Sequence, residues 1–173
     1  MSEITFSIRP ATSDDLDGIM KIEKKSYQHP WKKEQFAKEL ENKQSTFLVY
    51  TDDETDEEVA GYIVFWNLGH EIHILNVAVG LEWRGLGMGT KLVRHAINEG
   101  YRCKLERVIL EVRVSNKSGI ALYKKIGFES ISTRKKFYSD GEDALQMSLN
   151  LLTSNVDFSD FDDQMTGQKT QLH

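Results

Sequence analysis

The sequence has one cysteine, Cys103, and two prolines in 173 residues. A single thiol excludes an intrachain disulfide and a structural zinc site built on paired cysteines. Positive charge is not in surplus: 22 Lys and Arg stand against 27 Asp and Glu, a formal net charge of −5. An extended nucleic-acid surface is therefore not expected. No run approaches the ~20 apolar residues of a membrane span. The start, Met1 to Phe6, has no basic region followed by an apolar stretch. These absences point to the cytoplasm, with no membrane and no direct nucleic-acid partner. The five histidines show no metal-ligand spacing. His70 and His73 are three apart and in a strand would face opposite ways, so no metal is expected. What is present suffices for one domain with a full core: 39% apolar and 10% aromatic residues.

The most informative stretch runs from Val77-Ala78-Val79 through Arg84-Gly85-Leu86-Gly87-Met88-Gly89 to Thr90. An apolar strand enters a turn with an arginine and three glycines, and the turn opens into an amphipathic helix. Alternate glycines leave backbone N–H groups uncovered. The helix N-terminus adds more, with a positive dipole end. Together they can cradle a phosphate or pyrophosphate, with Arg84 as an added cation. A dinucleotide fingerprint needs a third glycine where Thr90 stands, and a P-loop needs Gly-Lys-Ser/Thr where the order is Gly89-Thr90-Lys91. A glycine-rich turn that binds nothing is the bland alternative.

Around the cradle the periodicities alternate. Ile4, Phe6 and Ile8 read as a strand, and Thr12 with Asp15 as a capping box before the helical face of Leu16, Ile19 and Met20. Pro30 is expected to end that helix, and Trp31, Phe36 and Leu40 to share one side of the next. Strands are expected over 46–51, 59–66, 72–79, 108–112, 128–132 and 144–149, and helices over 88–101 and from a cap at Asn116 or Ser118 to the C′ glycine Gly127. The order is βααβββαβαββ, an α/β domain with a mixed sheet. Residues 151–173 hold Asp157, Asp160, Asp162 and Asp163 among Ser, Thr, Gln and Gly, and read as a disordered acidic tail. Phe158 and Phe161 would otherwise serve to dock a partner.

Arg84-x-x-Gly87-x-Gly89 resembles the pyrophosphate signature of the GNAT superfamily of acetyl-coenzyme A-dependent N-acetyltransferases. Ile8-Arg9-Pro10-Ala11-Thr12 and Asn76-Val77-Ala78-Val79 fall where that family has its opening strand and the strand before the cradle. Leu110-Glu111-Val112-Arg113-Val114-Ser115-Asn116 and Ala121-Leu122-Tyr123-Lys124-Lys125-Ile126-Gly127-Phe128 are similar to the Nα-acetyltransferase branch, which includes the bacterial ribosomal-protein alanine N-acetyltransferases. His29-Pro30-Trp31 and the segment Tyr138 to Ala144 resemble the same branch. The resemblance covers residues 4–150 and implies a mixed, mostly antiparallel sheet splayed between the fourth and fifth strands, with acetyl-coenzyme A in the gap. Val77, Ala78 and Val79 would meet the pantetheine and acetyl groups. Arg84, Gly85, Leu86, Gly87, Met88 and Gly89 would hold the pyrophosphate, and Asn116 would touch the pantetheine arm. Trp31 and Tyr138 would flank a peptide. The implied substrate is a protein N-terminus, the N-terminal alanine of a small-subunit ribosomal protein. A helix cap is a sufficient local role for Asn116. Core packing is the plainer role for Trp31, and an edge-strand place for Tyr138.

Acetyl transfer needs a neutral amine, a polarised thioester carbonyl and a protonated leaving thiolate. Glu111 lies among Val108, Ile109, Leu110 and Val112, where a carboxylate is costly without partners. Burial would raise its pKa toward a useful range; pairing with Arg113 or another cation would instead make it structural. The resemblance makes Glu111 the general base and Tyr123 the general acid, against the alternative of a core tyrosine. Cys103, near a helix end with no local histidine, is expected to be inert rather than an acyl carrier. An α-amino group is less basic than lysine by about 2.4 pKa units, roughly 3.3 kcal/mol, which favours an N-terminus for one modest base. The rivals are an acetyltransferase for lysine, a polyamine or another small amine, a non-catalytic coenzyme A sensor, and a dinucleotide-binding domain.

Overall fold

Two periodicities, two residues in the strands and three to four in the helices, alternate along the chain and build a sheet between two helical layers. The structure, a computed structural model, describes residues 5–54, 58–154 and 170–171. The elements are β1 (Thr5–Pro10), α1 (Leu16–Ser26), α2 (Lys33–Glu41), β2 (Ser45–Asp52), β3 (Val59–Asn67), β4 (Glu71–Val79), α3 (Met88–Arg102), β5 (Arg107–Arg113), α4 (Lys117–Ile126), β6 (Glu129–Arg134), β7 (Ala144–Asn150) and β8 (Thr170–Gln171). From β1 to β7 this is the expected order. The sheet runs β6-β7-β5-β4-β3-β2-β1-β8, and among the described residues only β4 and β5 pair in parallel.

The β4–β5 ladder is short. Glu71 to Ile74 pair with Arg107 to Leu110; beyond them β4 stays on β3 as far as Val79, and β5 stays on β7 as far as Arg113. The splay begins at a bulge. The β3–β4 register shifts between Val64 and Phe65, which pair with Asn76 and Ile74, so Leu75 has no residue opposite. An extra residue bends and twists a strand, and here it does so where β4 leaves β5.

The faces of the sheet bury separate cores. Leu16, Ile19, Ile22 and Phe36 pack on Phe47, Val49 and Tyr62 under α1 and α2. Leu92, Val93, Ala96 and Ile97 of α3 pack on Ile63, Ile72, Leu110 and Met147. The Thr12–Asp15 box opens a single 3-10 turn before α1, with Thr12 N donating to Asp15 Oδ2 at 2.7 Å and Arg9 pairing with Asp15 at 2.8 Å.

Two local expectations are corrected. Helix α1 ends at Ser26, well before Pro30, and Tyr27 is already extended. The proline restricts itself and the residue before it, Gln28 and Tyr27 lying further upstream, so it does not set that end. Trp31 lies ahead of α2 rather than on it, with its ring 5.1 Å from that of Phe36. Of segment 151–173, Leu151 is buried and Thr170–Gln171 pairs with β1; residues 155–169, with Phe158 and Phe161, lie outside the described residues.

Candidate active site

The end of β4 builds one side of the site from backbone. Gly80 N donates to Ala60 O of β3 at 2.7 Å. Antiparallel alternation then turns the backbone groups of Val77 and Val79 toward the gap. Their carbonyls are in use: Tyr27 donates its hydroxyl to Val77 O at 2.6 Å, and Arg84 Nε donates to Val79 O at 3.0 Å. Arg84 also donates from Nη2 to Ser26 Oγ at 3.1 Å, which straps the turn to α1. Gly85 and Gly87 have φ of 81° and 82°, and a Cβ at either would meet nothing within 4 Å. The turn thus needs glycine for its backbone and leaves open space above it. Gly87 caps α3 with no side chain, so the first-turn N–H groups face that space.

A cavity of about 440 Å³ lies over this cradle. Val77, Ala78, Val79, Arg84, Gly85, Gly87, Met88, Gly89 and Asn116 all line it. Leu86 does not; it is 43% exposed. Asn116 caps α4, its Oδ1 accepting from Gly119 N at 3.0 Å, so the cap role and the lining role coexist.

A second cavity of about 760 Å³ opens between the α1–α2 loop and the β6–β7 hairpin, and both Trp31 and Tyr138 line it. The hairpin is fastened to the end of β5. Arg113 pairs with Asp140 at 2.9 Å and Glu142 at 3.0 Å, and its guanidinium lies 3.9 Å from the centre of the Tyr138 ring. Burial pushes the Tyr138 phenol up to about 12, with Arg113 opposing. His29 reaches Asp140 at 3.0 Å, joining loop and hairpin. Ser26, Tyr27, Val77, Asn116 and Tyr123 line both cavities and mark where they meet.

Glu111 lines the second cavity with its side chain 6% exposed. His73 Nε2 lies 2.6 Å from Oε2, and Arg134 and Gln146 donate to Oε1 at 3.4 and 3.3 Å. Burial pushes its pKa up, but His73, Arg134 and Gln146 outweigh burial and hold it below the ordinary carboxylate value. The expected rise is corrected; of the cations that could pair with Glu111, Arg134 does so, while Arg113 turns to the hairpin. Tyr123 is buried against Phe128, burial pushes its phenol well up, and its hydroxyl makes no hydrogen bond among the described residues.

Residues 16–128 match the Acetyltransferase (GNAT) family. The chain belongs to this family. This acetyltransferase is 38% identical to a Bacillus subtilis protein provisionally named a ribosomal protein bS18-alanine N-acetyltransferase, over 82% of this chain and 93% of the relative. It is 36% identical to a Sulfurisphaera tokodaii protein named N-alpha-acetyltransferase, over 84% and 93%. The crystal structure of the Escherichia coli ribosomal-protein-S18-alanine N-acetyltransferase superposes with a TM-score of 0.74 at 28% identity, covering 84% of this chain and 94% of that one. The splayed sheet is therefore the GNAT fold of an N-acetyltransferase, and the dinucleotide-binding rival is set aside.

In this acetyltransferase, His73 is the site residue that sequence reasoning missed. Its spacing in the chain bears only on metal binding. His73 pairs with Ile109 across the parallel ladder, and Glu111 is two residues on, on the same face. Only the strand register brings the two together. His70 sits in the turn before β4. Among the described residues no group of His, Cys, Asp and Glu is placed to hold a metal, and no helix is long and apolar enough to cross a membrane. Cys103 lines neither cavity; its Sγ lies 3.4 Å from Glu99 and 3.6 Å from Asn67.

Proposed function

We propose that this acetyltransferase moves the acetyl group of acetyl-coenzyme A directly to the α-amino group of a protein. The substrate is the N-terminal alanine of a small-subunit ribosomal protein, as the names of the relatives suggest, and the enzyme works in the cytoplasm. The observation that carries the reading is the junction of two cavities at Tyr27, Val77, Asn116 and Tyr123. The open glycine cradle suits the pyrophosphate, and the gap beside Val77 and Val79 suits the pantetheine arm. When bound, the coenzyme supplies an activated thioester. The groove under the His29–Asp140 bridge then receives a chain end.

The residues divide the proton work. The amine nitrogen bonds the acetyl carbon as the carbon–sulfur bond breaks. The Glu111–His73 pair takes the amine proton, directly or through water. Tyr123, with a high pKa and an uncommitted hydroxyl, gives its proton to the departing sulfur. Trp31 and Tyr138 hold the peptide. A second reading of Glu111 has its own support: three partners and a lowered pKa fit a structural anchor for β5, with His73 then acting alone. The test of the whole reading is mass spectrometry of a peptide library after incubation with enzyme and acetyl-coenzyme A. Acetylation confined to α-amino groups, richest on alanine, is expected. Acetylation of lysine or spermidine in its place, or coenzyme binding without turnover, would overturn it.

A further inference from the structure

Glu23 of α1 is the most deeply buried acid among the described residues, 1% exposed, and it borders the peptide groove. The proton transfers above do not use it. Other buried acids have cations: Arg9 holds Asp15 at 2.8 Å, and Arg107 holds Glu71 at 2.6 Å. Glu23 forms no ion pair among the described residues. Neutral donors from three elements satisfy it. Trp31 N donates to Oε1 at 2.8 Å, while Asn76 Nδ2, at 3.0 Å, and the Tyr62 hydroxyl donate to Oε2.

This arrangement dictates the orientation of Asn76. An ionised carboxylate only accepts, so Asn76 must turn Nδ2 toward it and Oδ1 away. Asn76 sits on the stretch of β4 that has left β5, and it lines the groove. Its Oδ1 has no hydrogen-bond partner among the described residues and is not sealed from the groove. We propose that Glu23 is a positioning residue that fixes the Asn76 amide, so that Oδ1 faces the groove as the acceptor for an N–H of the incoming amine. The proposal rests on the acetyl-transfer reading above.

The chemistry asks for such a group. An attacking amine must aim its lone pair at the carbonyl carbon and place its N–H bonds elsewhere. Its nitrogen gains positive charge as the new bond forms. An amide oxygen stabilises that N–H without taking the proton, which goes to the Glu111–His73 pair. The device works while Glu23 is ionised. Burial raises the pKa of Glu23, with Tyr62, Trp31 N–H and Asn76 opposing; the Tyr27 phenol also feels its charge. Once protonated, Glu23 can donate, and the Asn76 amide is free to flip.

The test uses the full-length enzyme with acetyl-coenzyme A and an alanine-ended peptide. Glu23→Gln and Asn76→Ala should each lower kcat/KM about ten- to a hundredfold, the size of a hydrogen bond to a charged group. Calorimetric affinity for acetyl-coenzyme A should not change. Because Glu23 acts through Asn76, the double variant should lose no more than the worse single variant. Tyr62→Phe removes one donor and raises the Glu23 pKa further, so the acid limb of kcat should move to higher pH. A merely structural contact would not move it. Wild-type kcat/KM in Asn76→Ala, losses that multiply in the double variant, or an unmoved acid limb would overturn the proposal, and the first and last hold even if Glu23→Gln does not fold. No turnover by the wild type would overturn the acetyl-transfer reading itself, and this proposal with it.

Discussion

The two cavities that meet at Tyr123 are built by different means. The cradle comes from one contiguous stretch, 77–89, and works with backbone: uncapped N–H groups, positive-φ glycines and the end of a broken ladder. The peptide groove takes side chains from α1, the α1–α2 loop, β4, β5 and the β6–β7 hairpin, and many are charged. Backbone binding tolerates changes in neighbouring side chains but not an added Cβ. Side-chain binding can be retuned one residue at a time. The cradle should therefore fail abruptly and the groove by degrees.

The largest effect is expected at the cradle. Gly87→Glu or Gly89→Glu should abolish measurable acetyl-coenzyme A binding while circular dichroism still reports a folded protein. Each puts a side chain and a negative charge where the anion would lie. Unchanged calorimetric affinity in either variant would make the two cavities alike in their tolerance.

Next come the residues given the proton transfers. Glu111→Gln and Tyr123→Phe should lower turnover about 10²–10⁴-fold, the usual range for acid–base groups, with little change in coenzyme affinity. Turnover at the wild-type level in Glu111→Gln would favour the structural reading of its His73 and Arg134 contacts. The pH profile sharpens this. Glu111 is held below the ordinary carboxylate value, so it stays ionised to lower pH than usual. Glu111 should then add no step of its own to the fall of kcat/KM below an amine pKa near ~8, where the substrate contributes about tenfold per pH unit. A second proton in that fall that disappears in Glu111→Gln but not in Asn76→Ala would mean that Glu111 titrates there.

Smaller changes are expected in the groove. Tyr138→Ala should raise the peptide KM about three- to tenfold, the size of a lost aromatic contact, with coenzyme affinity unchanged. Weakened coenzyme binding with a normal peptide KM would place the hairpin on the wrong side of the comparison. Cys103→Ala should have the smallest effect, near-normal activity, because the thiol lines neither cavity. A large loss would revive an acyl-cysteine intermediate.

What could be read from the sequence follows the same divide. The cradle was legible because its geometry depends on adjacent residues: Arg84, Gly87 and Gly89 carry their spacing with them. The order of strands and helices was legible through periodicity. The Glu111–His73 pair was not, because only the β4–β5 register sets it. The direction of the Glu111 pKa was misjudged for the same reason, since burial was visible in its apolar neighbours and its three partners were not. The Glu23 cluster brings together residues 23, 62 and 76, and no local pattern marks it.

The central claim is that the groove admits a chain end to a thioester lying over the cradle. Its most direct test measures kcat/KM side by side for an alanine-ended peptide, the same sequence with a blocked N-terminus and an internal lysine, and spermidine. The account predicts acetylation of the free α-amino group by at least tenfold over either alternative. Equal or faster modification of the lysine peptide or spermidine would contradict it.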